Sequence, residues 1–163
     1  MKLRFLFLLF CSILSASAQM NNSQLEDILA RESDSIIGIS GRWQLTYKEI
    51  PMLVITDEAN DRMRIMTPIT DAEALDKQVL SVCLEANYHS VLDAKYAIAD
   101  KVLWSVYIHP LSPLTDEQIT SALSQVYYAA MTFGSSFTST GLIFGGSNSE
   151  QKAPVKKFKK TMP

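Results

Sequence analysis

The sequence of 163 residues predicts an α+β domain in which helices pack on an antiparallel sheet of about five strands. The predicted order of elements is α-β-β-β-α-β-β-α. Two observations lead to this class. Short segments alternate apolar and polar residues with the period of a half-buried strand, whereas longer segments repeat apolar residues at helical spacing. The first strands are joined by only four or five residues, which is enough for a hairpin but too short for a crossover helix.

The first helix is predicted over about residues 22–34, because apolar residues there recur at positions that share one helical face. Asn22 or Ser23 can cap its amino end, since both side chains can accept a hydrogen bond from a free backbone N–H. Residues 36–38 are expected to lead into a turn around Ser40 and Gly41.

Three short strands are predicted next, over residues 42–47, 52–56 and 62–66. The first and third alternate apolar and polar residues, so each should bury one face. The second is apolar on both faces, which places it inside the sheet. Ile50 and Pro51 are expected in the turn before it, where the fixed φ and missing N–H of proline do little harm.

Capping boxes predict where the two later helices begin. One box starts at Thr70 and predicts a helix over about residues 72–86. The other starts at Thr115 and predicts a helix over about residues 116–133, which Gly134 should end. Each segment carries an apolar stripe wide enough to cover a sheet.

Two further strands, at residues 95–99 and 102–108, lie between these helices and are joined by Asp100 and Lys101. Two-residue turns usually have glycine at the second position, so Lys101 is either unfavourable there or indicates another type of turn. The alternation in the last strand predicts that Trp104 is buried against a helix. Replacing it with alanine should then cost about 3–5 kcal/mol.

Residues 1–18 have the features of a signal peptide: a basic start, a short apolar run and the small residues Ala16-Ser17-Ala18. The run is shorter than the ~20 apolar residues that a membrane-spanning helix needs. We therefore expect export, to the periplasm or the medium, with the mature chain beginning at Gln19. An uncleaved anchor and a lipid-modified Cys11 are alternatives.

Residues 19–146 are predicted to form the folded domain, and residues 147–163 a disordered basic tail. The domain has 8 Lys+Arg against 16 Asp+Glu, whereas the tail has five lysines and one glutamate. A domain this acidic argues against nucleic-acid binding, which requires a basic face. The tail could make a weak contact with an anionic surface or simply be solvated. The lysines concerned are Lys156, Lys157, Lys159 and Lys160.

The sequence predicts no catalytic residue, no metal and no cofactor. A zinc site could be written with Cys83, His89 and Asp93, but none of the usual ligand spacings is present. His109 is the only other histidine in the sequence, and the sequence has no G-x-S-x-G nucleophile elbow. After cleavage Cys83 is the single cysteine, and we expect it to be a buried apolar residue. An intermolecular disulfide is the alternative.

Three residues of the predicted domain are candidates for binding a partner. Arg62 and Arg64 should point to one side of their strand, about 6.5–7 Å apart, where they could hold a carboxylate or an acidic peptide. Alternatively, they could pair with Asp57, Asp61 or Glu85 of the same chain. Tyr128 could be an exposed aromatic anchor on the last helix, or a tyrosine with only its hydroxyl in water.

Several short strings are similar to those of YbjN-type proteins, a branch of the fold group of the type III secretion chaperones (the CesT/Tir chaperone group). These strings are residues 62–65, 84–87, 92–98, 103–104 and 109–111. The resemblance spans about residues 36–146. It implies a small noncatalytic α+β domain, since members of the group are generally of that kind. It also implies a protein partner and a homodimer, because secretion chaperones dimerise and bind extended partner segments.

The function predicted from the sequence is therefore that of an exported, noncatalytic domain that binds a protein or peptide. A small hydrolase or metal-dependent enzyme of the cell envelope is the main alternative. A carrier of an apolar ligand is a third, and it would need an internal cavity of about 300 Å³ or more.

Overall fold

The computed structural model describes residues 19–140. The predicted signal peptide, the predicted tail and its four candidate lysines lie outside the described residues. Along the chain the elements are α1 (Asn22–Glu32), β1 (Ser35–Ile39), β2 (Arg42–Tyr47), β3 (Ile50–Asp57), β4 (Arg62–Asp71), a 3₁₀ helix (Ala72–Ala74), α2 (Lys77–His89), β5 (Lys95–Ala99), β6 (Val102–His109) and α3 (Asp116–Met131). The predicted α+β class is confirmed.

The six strands form one antiparallel sheet in the order β1-β2-β3-β4-β6-β5. β1 to β4 are a meander of consecutive hairpins, and the β5–β6 hairpin joins it with β6 beside β4. The interior position predicted for the second strand is confirmed, because β3 lies between β2 and β4.

All three helices contribute to one core on a single face of the sheet, called here the inner face. Alternate residues of the central strands point into this core, as the period of two requires. The largest fully buried side chains from the sheet are Leu45, Met52, Val54, Met63, Ile65 and Leu103, and those from the helices are Leu25, Leu29, Ile119, Leu123 and Val126. Burial of these side chains is the main source of stability.

The sheet has one strand more than the five predicted, because residues 35–39 form β1. β1 leads into a turn at Ser40 and Gly41, as the sequence predicted. β1 pairs with β2, and Gly38 lies opposite Trp43. Gly38 has a φ of +145°, and a Cβ there would lie 2.2 Å from the carbonyl oxygen of Arg42. Only glycine fits this close approach, which lets β1 pair with β2 at this position.

Ile50 and Pro51 are not in the turn, as was predicted, but in β3, where Pro51 lies opposite Thr46. The turn is Lys48-Glu49, whose φ angles are +48° and +67°. Two positive φ values in a two-residue loop match the twist of the flanking strands, as in type I′ hairpins. The turn 100–101 has the same form, with φ angles of +50° and +67° and no glycine.

The second helix was predicted to begin at about residue 72, after a capping box at Thr70, and this start is wrong. β4 continues to Asp71, because Thr70 and Asp71 pair with β6 beyond an irregularity in the ladder. The helix begins after Asp76, whose carboxylate accepts a hydrogen bond from the backbone N–H of Val79 at 2.8 Å. Pairing with a neighbouring strand thus outweighs a local capping pattern.

The capping box predicted at the start of the third helix is confirmed. Thr115 accepts from the backbone N–H of Gln118 at 3.3 Å, and the side chain of Gln118 accepts from the backbone N–H of Thr115 at 2.9 Å. The helix ends at Met131, two residues earlier than expected. Gly134 follows with a φ of +78°, in the region that favours glycine.

Trp104 is not buried against a helix, as was predicted. In β6 the side chains directed at the helices are those of Leu103, Ser105 and Tyr107, which are all buried. Trp104 is on the opposite face, is partly exposed and donates from Nε1 to the carbonyl oxygen of Ala99 at 3.1 Å. Because side chains alternate, an error of one residue in the buried set reverses the whole strand.

Candidate partner-binding face

Among the described residues, every helix lies on the inner face, and no element covers the opposite face of the sheet. We call this second surface the open face. It carries four exposed isoleucines, Ile37, Ile39, Ile55 and Ile108, whose exposed fractions lie between 40% and 71%. Leu53, Met66 and Trp104 add partly exposed apolar surface between them. Large contiguous apolar patches are uncommon on monomers and often mark interaction sites.

The register of the strands arranges the open face in rows that run across the sheet. One row contains, from β1 to β6, Ile39, Arg42, Ile55, Arg64 and Ile108. The adjacent row contains Ile37, Gln44, Leu53, Met66 and Val106. Neighbouring members of a row are about 4.8 Å apart, the spacing between strands. We call the first row the arginine row, because it sets two guanidinium groups between three isoleucines.

Arg42 and Arg64 are exposed and make no ion pair within residues 19–140. Other basic residues of the described chain are engaged: Arg31 contacts Asp116 at 2.5 Å, and Lys101 contacts Glu73 at 2.9 Å. An arginine beside apolar side chains retains its capacity for a bidentate contact with a carboxylate. The arginine row is therefore suited to an acidic group of another molecule.

Arg62 is placed differently from Arg64, although both project from the same side of β4, as the sequence predicted. Its Nη1 donates to the backbone carbonyl of Asp61 at 2.9 Å. Within the described residues, neither arginine forms the ion pair with Asp57, Asp61 or Glu85 that was the alternative.

The carboxylates nearest in sequence to Arg62 are held by other partners. Asp61 accepts from the backbone N–H of Ser112 at 2.6 Å and from its hydroxyl at 2.9 Å. The backbone N–H of Ser112 is the main cause that lowers the pKa of Asp61. The side-chain amide of Asn60 is the main cause of a lowered pKa at Asp57.

Tyr128 lies in the helical layer, so the structure does not bring it together with the arginines of the open face. Its ring is partly exposed. Lys48 Nζ lies 5.4 Å from the centre of this ring and 5.2 Å from the centres of both Tyr47 and Tyr127. These are cation–π distances, so Tyr128 is engaged by a residue of its own chain.

No group of three or more His, Cys, Asp or Glu residues between 19 and 140 is placed to hold a metal ion. His89 is exposed beside Tyr88, whereas His109 stacks on Tyr107 and has its Nδ1 2.8 Å from the carbonyl oxygen of Pro110. Cys83 is 3% exposed, and burial raises the pKa of its thiol to about 11. This agrees with the buried apolar role predicted for it.

Two hollows of the described chain are open to solvent. One follows α3 and includes Gln125 and Tyr128, and the other lies beside the turn at Lys48. Neither is an enclosed cavity of the kind that an apolar ligand would need. Within residues 19–140, no helix is long and apolar enough to span a bilayer.

No family model and no curated protein match the sequence. Among solved structures, a chain of the HopA1–SchA chaperone–effector complex superposes with a TM-score of 0.53. The match covers 68% of this chain and 91% of that chain, with 12% of residues identical. At this identity the similarity establishes a shared fold and nothing more. The chaperone-like fold predicted from the sequence is thus supported, while the YbjN-type resemblance stays a prediction.

Sequence reasoning found Arg64 but missed Arg42, Ile55 and Ile108 as parts of the same surface. Each of them occupies an ordinary position in a strand, and no motif sets it apart. What joins them is the register across four strands, because residues far apart in sequence lie side by side only after the sheet forms. The excess of apolar residues on both faces of residues 52–56 was the one available signal.

Proposed function

We propose that this chain is an exported, noncatalytic domain that binds a protein or peptide partner through its open face. The observation that carries the proposal is the combination of exposed isoleucines with Arg42 and Arg64, which have no ion pair in the described chain. Apolar and aromatic side chains supply most of the affinity of protein interfaces, and arginine is enriched in them.

The shared fold gives the proposal a second, weaker support. The structure that this chain resembles is a complex of a chaperone with an effector, so the fold is found in an assembly with a protein partner. Fold by itself does not determine function, and the same scaffold can carry unrelated sites. For that reason the proposal depends on the open face and uses the similarity only as an analogy.

The proposed roles of the basic residues differ. Arg62 and Arg64 are fixed by an ordered strand and should give specificity, and Arg42 joins them across the sheet. The lysines of the tail would contribute attraction that depends on salt, because exposed charges are screened beyond about 8 Å at physiological ionic strength. Tyr128 would have to release Lys48 before it could contact a partner through its ring face.

The test is affinity capture from cell-envelope extract with the chain that begins at Gln19. Wild type is compared with Ile55→Asp and with Leu84→Asp as the matched control, since Leu84 is 71% exposed but lies on α2. We expect specific partners to be retained by wild type and by the control, and to be lost with Ile55→Asp. If all three proteins capture the same partners, binding does not involve the open face.

Measuring capture at several salt concentrations distinguishes the role of the arginines from that of the tail. Replacing both Arg62 and Arg64 with glutamine should weaken capture at every salt concentration. Deleting residues 147–163 should weaken it mainly at low salt. The assignment is reversed if tail deletion abolishes capture even at high salt while the double substitution has no effect.

A further inference from the structure

Building on the proposed function, we propose that the open face binds an amphipathic α-helix of a partner protein. The helix would carry two carboxylates seven residues apart, with apolar residues between them. Its carboxylates would contact Arg42 and Arg64, and its apolar residues would cover Ile55 and the neighbouring row. The proposal rests on backbone hydrogen bonding, on the spacing of the two arginines and on charge.

Backbone hydrogen bonding favours a helix over an extended segment on this surface. β2, β3, β4 and β6 each pair with a strand on both sides, so their backbone groups are already used within the sheet. An extended segment laid over the open face would find few free backbone partners, and its own N–H and C=O groups would be buried unpaired. A helix satisfies these groups internally and presents only side chains.

An extended segment could instead pair with the strand edge at β1. At the β5 edge, the side chain of Asn87 already accepts from the backbone N–H of Tyr96 at 2.7 Å and donates to its carbonyl oxygen at 3.0 Å. A segment paired with β1 would lie beyond the end of the arginine row. Arg64 is on β4, three strand spacings from β1, which is a distance of about 14 Å. Edge pairing therefore leaves the arginine row uncovered, and it does not account for the apolar surface in the middle of the sheet.

The spacing between Arg42 and Arg64 also favours a helical partner. Arg42 and Arg64 are two strands apart in one row, so their Cα atoms are separated by about 9.6 Å. Residues seven apart in an α-helix rise by about 10.5 Å and return to the same face. In an extended segment, residues on one face are about 6.8 Å or 13.6 Å apart, and neither distance fits as well.

Charge and apolar character complete the pattern. Residues 19–146 have twice as many acidic as basic residues, so most of the surface repels an acidic helix. The arginine row is an exception, since it has no acidic member and no ion pair in the described chain. The third and fourth residues after the first acidic residue of the partner helix would lie over Ile55. The expected motif is acid-x-x-apolar-apolar-x-x-acid.

The experiment is selection of a display library of random 18-residue peptides on the chain that begins at Gln19. Selected peptides are then measured against Arg42→Gln/Arg64→Gln and against Lys101→Gln, whose charge lies in a turn outside the open face. We expect enrichment of the motif, helical circular dichroism on binding, and a loss of at least about tenfold in affinity with the double variant. Lys101→Gln should bind like wild type.

Trp104 supplies an independent readout, because it is partly exposed on the open face while Trp43 is buried in the core. Its emission should shift when a selected peptide binds. In Arg42→Glu/Arg64→Glu, peptides with the two acids replaced by lysine should bind better than the original peptides. Far-ultraviolet circular dichroism of each variant, compared with wild type, shows that the sheet is intact.

The outcomes separate this inference from the proposed function. The selected peptides could depend on Ile55 but alternate apolar and polar residues, or lack the paired acidic residues. In that case the proposal of a helical partner is wrong, while the open face remains the proposed binding surface. Selection of no peptide that depends on the open face would overturn both. A dimer of the chain alone that dissociates on Ile55→Asp would show that a second copy covers the face, and would also overturn the helix.

Discussion

Asp61 connects two parts of the fold that are distant in sequence. It lies in the turn just before β4 with a φ of +51°, and its carboxylate accepts hydrogen bonds from the backbone N–H and the hydroxyl of Ser112 in the loop after β6. This loop leads into α3, so one side chain fixes the approach of the last helix. The sequence showed Asp61 only as part of a polar turn.

The lowered pKa of Asp61 predicts how stability depends on pH. Its ordinary value is 3.8, and the folded value is lower because the N–H of Ser112 favours the charged form. A carboxyl group with a lowered folded pKa stabilises the protein above the unfolded value and loses this contribution as pH falls through the folded one. Asp61→Asn should therefore lower the urea midpoint at pH 7, and the difference from wild type should shrink as pH falls below 3.8.

Asparagine at position 61 removes the negative charge but keeps an acceptor oxygen and tolerates a positive φ. Asp27→Asn, at an exposed position on α1, controls for the loss of one negative charge. If both variants lower the midpoint equally at pH 7, the contact between Asp61 and Ser112 does not contribute through its charge.

At the scale of elements, β6 shows why the face of a strand is hard to predict. Val102, Trp104, Val106 and Ile108 are all apolar and alternate cleanly, which normally indicates the buried side. The opposite set includes Ser105 and His109, which look like solvent-facing residues. In the structure this second set faces the helices. The first set is apolar because it forms the open face.

Two neighbouring substitutions in β6 test this assignment. Leu103 is 1% exposed in the core, so Leu103→Ala should cost about 2–5 kcal/mol. Trp104→Ala removes a partly exposed ring and one hydrogen bond, so we expect about 1–2 kcal/mol, below the cost predicted from the sequence. Urea unfolding followed by circular dichroism measures both. A larger loss for Trp104→Ala would mean that the faces are the reverse of those described.

At the scale of the whole molecule, residues 19–140 form a two-layer α+β arrangement in which these residues leave one side of the sheet uncovered. An antiparallel sheet can leave one face to water when that face is polar, but the open face here also exposes four isoleucines. In residues 19–140 the helices supply one layer, and the proposed partner helix would supply the other. The proposed function thus follows from an incomplete architecture more than from any single residue.

Export is also a property of the whole chain, and it stays a prediction. If Ala16-Ser17-Ala18 is the cleavage signal, intact mass of the protein from the extracytoplasmic fraction should correspond to a chain beginning at Gln19. Replacing Ala16 and Ala18 with leucine should leave residues 1–18 attached, because cleavage requires small residues there. Wild-type protein recovered outside the cytoplasm with its first 18 residues in place would contradict the prediction.

The sequence by itself determined the fold class, the antiparallel sheet, the position of α3 and the burial of Met63 and Ile65 beside Arg62 and Arg64. These features depend on short-range periodicity, capping and loop length, which are local in the chain. Only the tertiary structure decided that residues 35–39 form a sixth strand, that α2 starts after Asp76 and that Trp104 faces outward. Each of these depends on pairing with a strand distant in sequence. The arginine row has the same origin, because register places side by side residues whose sequence positions carry no sign of one another.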